Sequence, residues 1–375
     1  MSIQRIGLKN WKNFKAVDVP CRLRVFLIGS NASGKSNFLD AIRFLRDVAE
    51  NGLKKAVDDA RHGVSAIRCL AATYHSDVEV KAEIATAGAI WDYQLLFNQD
   101  SNRRPIVKAE VVTRDGTILL SRPDGADEQD PERLTQTALE QISVNQSFRD
   151  VADFMKSIAY QHLIPQAVRD LRNFTPAPVK NDPFGRDFLM RVWQTPQRTR
   201  DSRLEKITQV LKIAVPQLSY LEIQIDDAGT PHLIGGYSHW RPHAARQNES
   251  QFSDGTLRLF GLLWTILEGS GPLLIEEPEL SLHPEVVRYL PVLFWRMNSL
   301  RQEPRQMFIS THSRELISDP GIAAEEVLWL EPNPQGTLIR VADEADKKAM
   351  QAGLTAADVL LPKTTPANVQ QLSLF

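Results

Sequence analysis

Residues 29–36 read "GSNASGKS", and these residue types at this spacing could hold a row of phosphates. An apolar run, "LRVFLI" at 23–28, precedes the loop. A helical pattern follows from Ser36 to about Val48, with Phe38, Ile42 and Leu45 on one side. A glycine-rich loop between a buried strand and a helix N-terminus aims backbone N–H groups inward, and the helix dipole adds positive potential. Lys35 would neutralise the β- and γ-phosphates of a nucleotide, and Ser36 would ligate Mg²⁺. Gly29, Ser30, Asn31, Ala32, Ser33, Gly34 and Asn37 complete the expected nucleotide-contacting stretch. A glycine-rich turn without a ligand could match the same pattern by chance. The flanking strand and helix are the context that the phosphate reading requires.

A second stretch, "PLLIEEPELSLHP" at 272–284, delivers two carboxylates at the end of an apolar strand. Strand C-termini are where ligands sit in open α/β sheets. Glu276 would hold Mg²⁺ directly or through water, and Glu277 would orient and deprotonate the attacking water. The same residues could instead be an acidic helix entry, since Glu277, Pro278 and Glu279 favour a helix start. "ISTHS" at 309–313 ends another apolar strand, and His312 there could sense the γ-phosphate or be structural. In "QFSDGTLRL", 251–259, Ser253 reads as the N-cap of a helix with Asp254 in its first turn. A capped helix start carrying Gly255 is also an anion site, able to serve a nucleotide held by another subunit.

The elements around these residues read as follows. Residues 3–14 suggest an edge strand. Residues 78–121 alternate at period two between turn signals, which predicts an antiparallel meander. An acidic loop at 123–131 precedes helical patterns at 131–142 and 148–158, and "IAYQHLIP" supplies a short strand. Residues 167–215 read as a mostly helical insertion with a basic stretch, "RVWQTPQRTRDSRLEK". Arg191, Arg198, Arg200 and Arg203 in it are a phosphate contact or a solvated helical face. "LSYLEIQID" and "PHLIGGY" predict a hairpin. From Ser253 onward, helix and strand alternate, which predicts a parallel α/β sheet.

Composition sets the class. Lys+Arg 44 against Asp+Glu 46 leaves a net charge of −2, so any basic surface must be local. Two cysteines, Cys21 and Cys69, have no metal spacing and fit a reducing cytosol. The opening "MSIQRIGLKNWKNFK" lacks the apolar core of a signal peptide, and no apolar run approaches the ~20 residues that span a bilayer. The expectation is a cytoplasmic protein without a membrane partner.

These parts in this order resemble the SMC/ABC-type ATPases, and most of all their RecF- and OLD-related branch, grouped with AAA-type ATP-binding proteins. The resemblance rests on "IQRIGLKNWKNFKA", "GSNASGKSN", "FSDGTLRL", "LLIEEPELSLHP" and "STHS", within 3–48 and 251–313. It implies an α/β fold: a P-loop ATPase head at 1–160 and 216–345, an antiparallel β lobe at about 67–121 and a helical insertion at 161–215. A helical segment at 346–361 and a tail at 362–375 would follow. ATP and Mg²⁺ are the implied cofactors. The implied active unit is a head-to-head homodimer. Each ATP would lie between one subunit's phosphate loop and the other's Ser253 and Gly255, with 281–283 lining the interface. Relatives place a glutamine at the end of a middle strand, and Gln161 and Gln166 are both candidates. Glu276 departs from the usual aspartate, which puts the hydrolysis rate in doubt. "DEAD" at 343–346 lacks the setting of the nuclease centre that OLD-type proteins carry.

The last five residues, Gln371, Leu372, Ser373, Leu374 and Phe375, resemble the pentapeptide through which bacterial proteins bind the sliding clamp of the replicative polymerase. They follow a linker carrying Pro362 and Pro366 that should stay extended. Alternatively they fold back as a terminal strand. The leading expectation is an ATP-switched protein of DNA transactions, in repair or antiphage defence, held at the clamp. A nucleotide-dependent regulator of an effector such as a nuclease is the second reading, and a transporter ATPase subunit the third.

Overall fold

The computed structural model describes residues 1–72, 76–169, 182–238 and 246–365. In chain order the strands are β1 (Ser2–Trp11), β2 (Phe14–Pro20), β3 (Arg24–Ile28), β4 (Val78–Ala85), β5 (Ile90–Gln99), β6 (Pro105–Arg114), β7 (Thr117–Arg122), β8 (Ala159–Gln161), β9 (Leu218–Ile225), β10 (Pro231–Tyr237), β11 (Arg246–Asn248), β12 (Leu273–Glu276), β13 (Met307–Thr311), β14 (Val327–Glu331) and β15 (Leu338–Val341).

They form three sheets. The first is antiparallel, ordered β2-β1-β4-β5-β6-β7, and it contains the expected meander. The second is ordered β15-β14-β3-β13-β12-β8 and is parallel except at β15. The third is a small sheet of β11-β10-β9, which includes the expected hairpin.

The second sheet is buried on both faces, as parallel sheets are. Its side chains alternate between two cores. Val25, Leu27, Leu274 and Phe308 join the core shared with the first sheet and the helix Lys35–Asn51. Phe26, Ile28, Leu273, Ile275, Met307 and Ile309 join the other, packed on the helix Asp254–Leu267. That helix has no polar face: every residue from Thr256 to Leu267 is buried.

Three expectations change. The opening strand is interior, because Trp11 and Phe14 close a tight hairpin that adds β2 outside it. The acidic stretch is a helix, Gly125–Gln129, capped by Asp124. No α-helix forms across 131–142. There the backbone amides of Ala138 and Leu139 donate to the buried Glu110 carboxylate at 2.6 and 3.0 Å instead of to helical carbonyls.

Glu110 also faces Arg122, whose guanidinium donates to both oxygens of Asp127 at 2.9 Å. All three are buried. The Arg122 hydrogen bonds hold the Asp127 carboxyl at about 2, below the ordinary carboxylate value. This pairing therefore contributes stability above about pH 4 that is lost as pH falls towards 2. Arg122→Ala should cost roughly 3–5 kcal/mol at pH 7, because it removes the buried cation that faces two buried carboxylates. Urea melts of the two proteins should show that gap narrowing below pH 4; a pH-independent gap would contradict the ionic account.

Candidate active site

The phosphate loop leaves β3 at Ile28 and enters the helix Lys35–Asn51 directly. Gly34 has φ +103°, and a Cβ there would fall 2.1 Å from Asn13 Nδ2. A Cβ at Gly29 would fall 2.5 Å from Ser33 Oγ. The left-handed backbone at Gly34 requires glycine, and a side chain at Gly29 would have to displace Ser33. Asn13 buttresses the loop from the first hairpin: its Nδ2 donates to the Ser33 carbonyl at 2.9 Å, and its Oδ1 accepts from Asn37 Nδ2 at 2.8 Å. The Trp11 indole donates to the Asn37 carbonyl at 3.0 Å.

Lys35 is buried, and its ammonium donates to the carbonyls of Gly29 and Ser30 at 2.8 and 3.1 Å. Burial lowers its pKa, opposed by the negative charge of Glu277, Glu279 and Glu276. The Ser36 hydroxyl meets one oxygen of Glu276, and the Tyr160 hydroxyl meets the other. Burial raises the Tyr160 pKa, and the adjacent Glu276 raises it further, so Tyr160 is a hydrogen-bond donor to that carboxylate.

Glu277 lies at φ +43°, a left-handed conformation that costs a non-glycine residue energy. Its backbone is held on both sides. The Glu277 amide donates to the Ser310 carbonyl at 3.0 Å, and its carbonyl accepts from buried Arg258 at 2.8 Å. His312 Nδ1 stands 3.3 Å from the Glu277 carboxylate. Glu279 organises the end of β13: its Oε1 accepts from Thr311 Oγ1 at 2.7 Å and from the His312 amide at 3.2 Å.

The residues fit Mg·ATP. A Cβ at Gly34 would collide with Asn13, and one at Gly29 with Ser33 and Leu330, so side chains at either position would disturb the packing that shapes the loop. Ser36 and Glu276 bring together the hard oxygen donors that Mg²⁺ takes. Among the described residues no group of three or more His, Cys, Asp or Glu could hold a metal.

Ser253 is exposed, and its Oγ caps the helix Asp254–Leu267 by accepting from the Thr256 amide at 3.1 Å. No hydrogen bond among the described residues joins Ser253 or Gly255 to the phosphate loop of the same chain. Gly255 instead lies against Ser281, whose carbonyl would be 2.7 Å from a Cβ there. Asp254 pairs with Arg169 and accepts from Gln166 Nε2 at 3.0 Å. Gln161 is buried, with its Nε2 unpartnered. Neither glutamine hydrogen-bonds Glu276; Tyr160 does. Residues 371–375 lie outside the described residues.

Asn13, Tyr160, Arg258 and Glu279 were not legible as site residues. Asn13 lies in the turn between β1 and β2 and Tyr160 in β8, and only the pairing of distant strands brings them to the loop.

A model of the AAA_21 family, described as "AAA domain, putative AbiEii toxin, Type IV TA system", matches residues 24–318. The chain belongs to that family. Membership makes it an ATP-binding protein of the ATPase type. A stretch of 116 residues is 26% identical to the DNA replication and repair protein RecF of Picosynechococcus sp., covering 30% of this chain and 27% of that protein. The match thus spans little more than a quarter of RecF. The fold is that of an SMC head. An SMC head bound to the C-terminal winged-helix domain of ScpA superposes with a TM-score of 0.57 at 14% identity, covering 93% of this chain and all of the other. An Smc head with an extended coiled coil, bound to the C-terminal domain of ScpA from Pyrococcus furiosus, gives 0.52 at 12% identity, covering 94% and 98%. No helix among the described residues is long and apolar enough to cross a membrane.

Tyr160→Phe should leave ATP affinity intact and raise the Mg²⁺ concentration for half-maximal turnover by about 10–100-fold, the usual cost of a lost partner beside a metal ligand. A Mg²⁺ titration of turnover checks it; an unchanged midpoint would remove Tyr160 from the metal carboxylate.

Proposed function

We propose that this chain hydrolyses ATP as an ATP-dependent homodimer and uses the cycle in a DNA transaction, repair or antiphage defence. The convergence of Ser36, Glu276 and Glu277 on one loop carries the reading. When bound, Mg·ATP supplies the phosphoanhydride to be cleaved. Residues 29–37 bind its phosphates, Lys35 balances their charge, and Ser36 and Glu276 hold the metal. Glu277 takes the proton of the attacking water, with His312 beside it as the residue that senses the γ-phosphate. Ser253 and Gly255 of a second copy close the site. The exposure of Ser253, and the absence of any bond from it to its own loop, support that arrangement. The match to RecF supports DNA as the object, and the family description is compatible with a defence role.

We propose further that residues 371–375 bind the bacterial sliding clamp, with Leu374 and Phe375 as apolar anchors. A second reading, a nucleotide-dependent regulator of an effector protein, is favoured by Glu276, whose extra methylene would slow turnover.

Lys35→Ala should abolish ATP binding in calorimetry. Glu277→Gln should bind ATP, turn it over at least about 100-fold more slowly, and accumulate a dimer in light scattering. Wild-type turnover in Glu277→Gln, or no ATP-dependent mass increase, would defeat the assignment. Leu374→Ala with Phe375→Ala should erase clamp binding of about micromolar strength and leave the melting temperature unchanged. A lower melting temperature with no clamp binding to lose would mean that these residues belong to the fold.

A further inference from the structure

A cavity of about 910 Å³ lies between the helix Gln197–Ala214 and the segments before β12 and β13. Arg198, Arg203 and Lys206 line one wall, Arg301 lines the other, and Glu303 is the one acidic residue between them. Among the described residues none of these four cations has a carboxylate at ion-pair distance. Arg203 rests over the Trp264 ring, 5.3 Å from its centroid. Arg301 spends its donors on backbone carbonyls, those of Ile266, Gly269 and Glu303. Behind Gly269 lies Arg305, fully buried and bonded to the carbonyls of Gly271, Thr265 and Glu268, with Nη2 unpartnered. Burial, then repulsion from Arg301, pushes Arg305 down to about 9.

A chain of net charge −2 that gathers five cations here, four of them facing one cavity, has a local demand for negative charge. Positions 198, 202, 203 and 206 share one helix face. From 198 to 206 the helix rises about 12 Å, the axial length of roughly three phosphates of one nucleic-acid strand. Thr199, Ser202 and Gln302 add polar side chains to the lining. We propose that this cleft binds the phosphodiester backbone of DNA. The inference rests on the proposed function for the kind of polyanion, and on geometry for the site.

The test uses the full chain and a fluorescein-labelled 30-base DNA, single-stranded and annealed to its complement, read by anisotropy across a salt series. Arg198→Glu with Lys206→Glu should weaken binding by about 10–100-fold at low salt and reduce the slope of log affinity against log salt by about 2. Lys54→Glu with Lys55→Glu makes the same change in net charge on exposed positions of the helix Leu53–Arg61 and should leave binding unchanged. Arg198→Gln with Lys206→Gln, the milder pair, covers any failure of the reversal to fold. Wild-type affinity in a folded Arg198/Lys206 pair overturns the proposal, as does an equal loss in the Lys54/Lys55 pair. Tighter binding of polyglutamate than of DNA at the same residues also overturns it, in favour of an acidic protein partner. ATP turnover without DNA should be the same in both pairs and the wild type. Binding through Arg198 and Lys206 in a wild-type chain that lacks turnover would sink the ATPase reading and leave the cleft standing.

Discussion

The carboxylate of Glu276 sits between the Ser36 hydroxyl and the Tyr160 hydroxyl, and the rest of the site depends on that meeting. Ser36 opens the helix after β3, Tyr160 belongs to β8, and Glu276 ends β12. In the sheet β3 is separated from β12 by β13, and β8 flanks β12 on the other side. Parallel pairing of all four strands brings their C-terminal ends to one edge, where a carboxylate can reach both neighbours. A glutamate reaches one methylene further than an aspartate. Here that reach is used, because each of its oxygens has a hydroxyl partner.

Glu277 adds a conformational constraint. A left-handed glutamate costs on the order of 1–3 kcal/mol and persists only where its surroundings over-determine it. Arg258 is one of those surroundings. It is buried in the helix Asp254–Leu267, and its second donor goes to the Leu163 carbonyl at 2.9 Å. Burial lowers its pKa, with Glu279 and Glu277 opposing. One guanidinium therefore ties the helix that begins at Ser253 to the backbone of the proposed general base and to the segment after β8. Gly255, against the Ser281 carbonyl, makes a second tie between the same helix and the turn after β12.

The legible parts were local. A glycine-rich loop between strand and helix, alternating strands in the meander, and apolar runs ending in Glu276 or His312 all announce themselves within a few residues. What stayed hidden came from contacts distant in sequence. The strand β2 alternates only through Phe14, Val17 and Val19 and ends at a proline, so nothing in it marks a partner for β1. The helical reading of 131–142 failed because a carboxylate some thirty residues earlier, Glu110, captures the amides that a helix would use. Asp343 caps the helix Glu344–Gln351 and Asp346 pairs with Lys363, so an acidic cluster does helix chemistry.

The basic cleft and the nucleotide loop occupy opposite ends of the same strands. The loop and the two glutamates follow the C-terminal ends of β3 and β12. Gly269 and Ser270 precede β12, and Arg301 and Arg305 precede β13. One element borders both regions. The helix Asp254–Leu267 starts at the Ser253 cap, and Leu267 lines the cleft. Its 14 residues extend about 21 Å. It is buried almost throughout, so it moves only with the core around it. Trp264, three residues before its end, carries Arg203 on its ring. The proposed dimer contact at Ser253 and the cleft's Arg203 thus meet opposite ends of one buried helix.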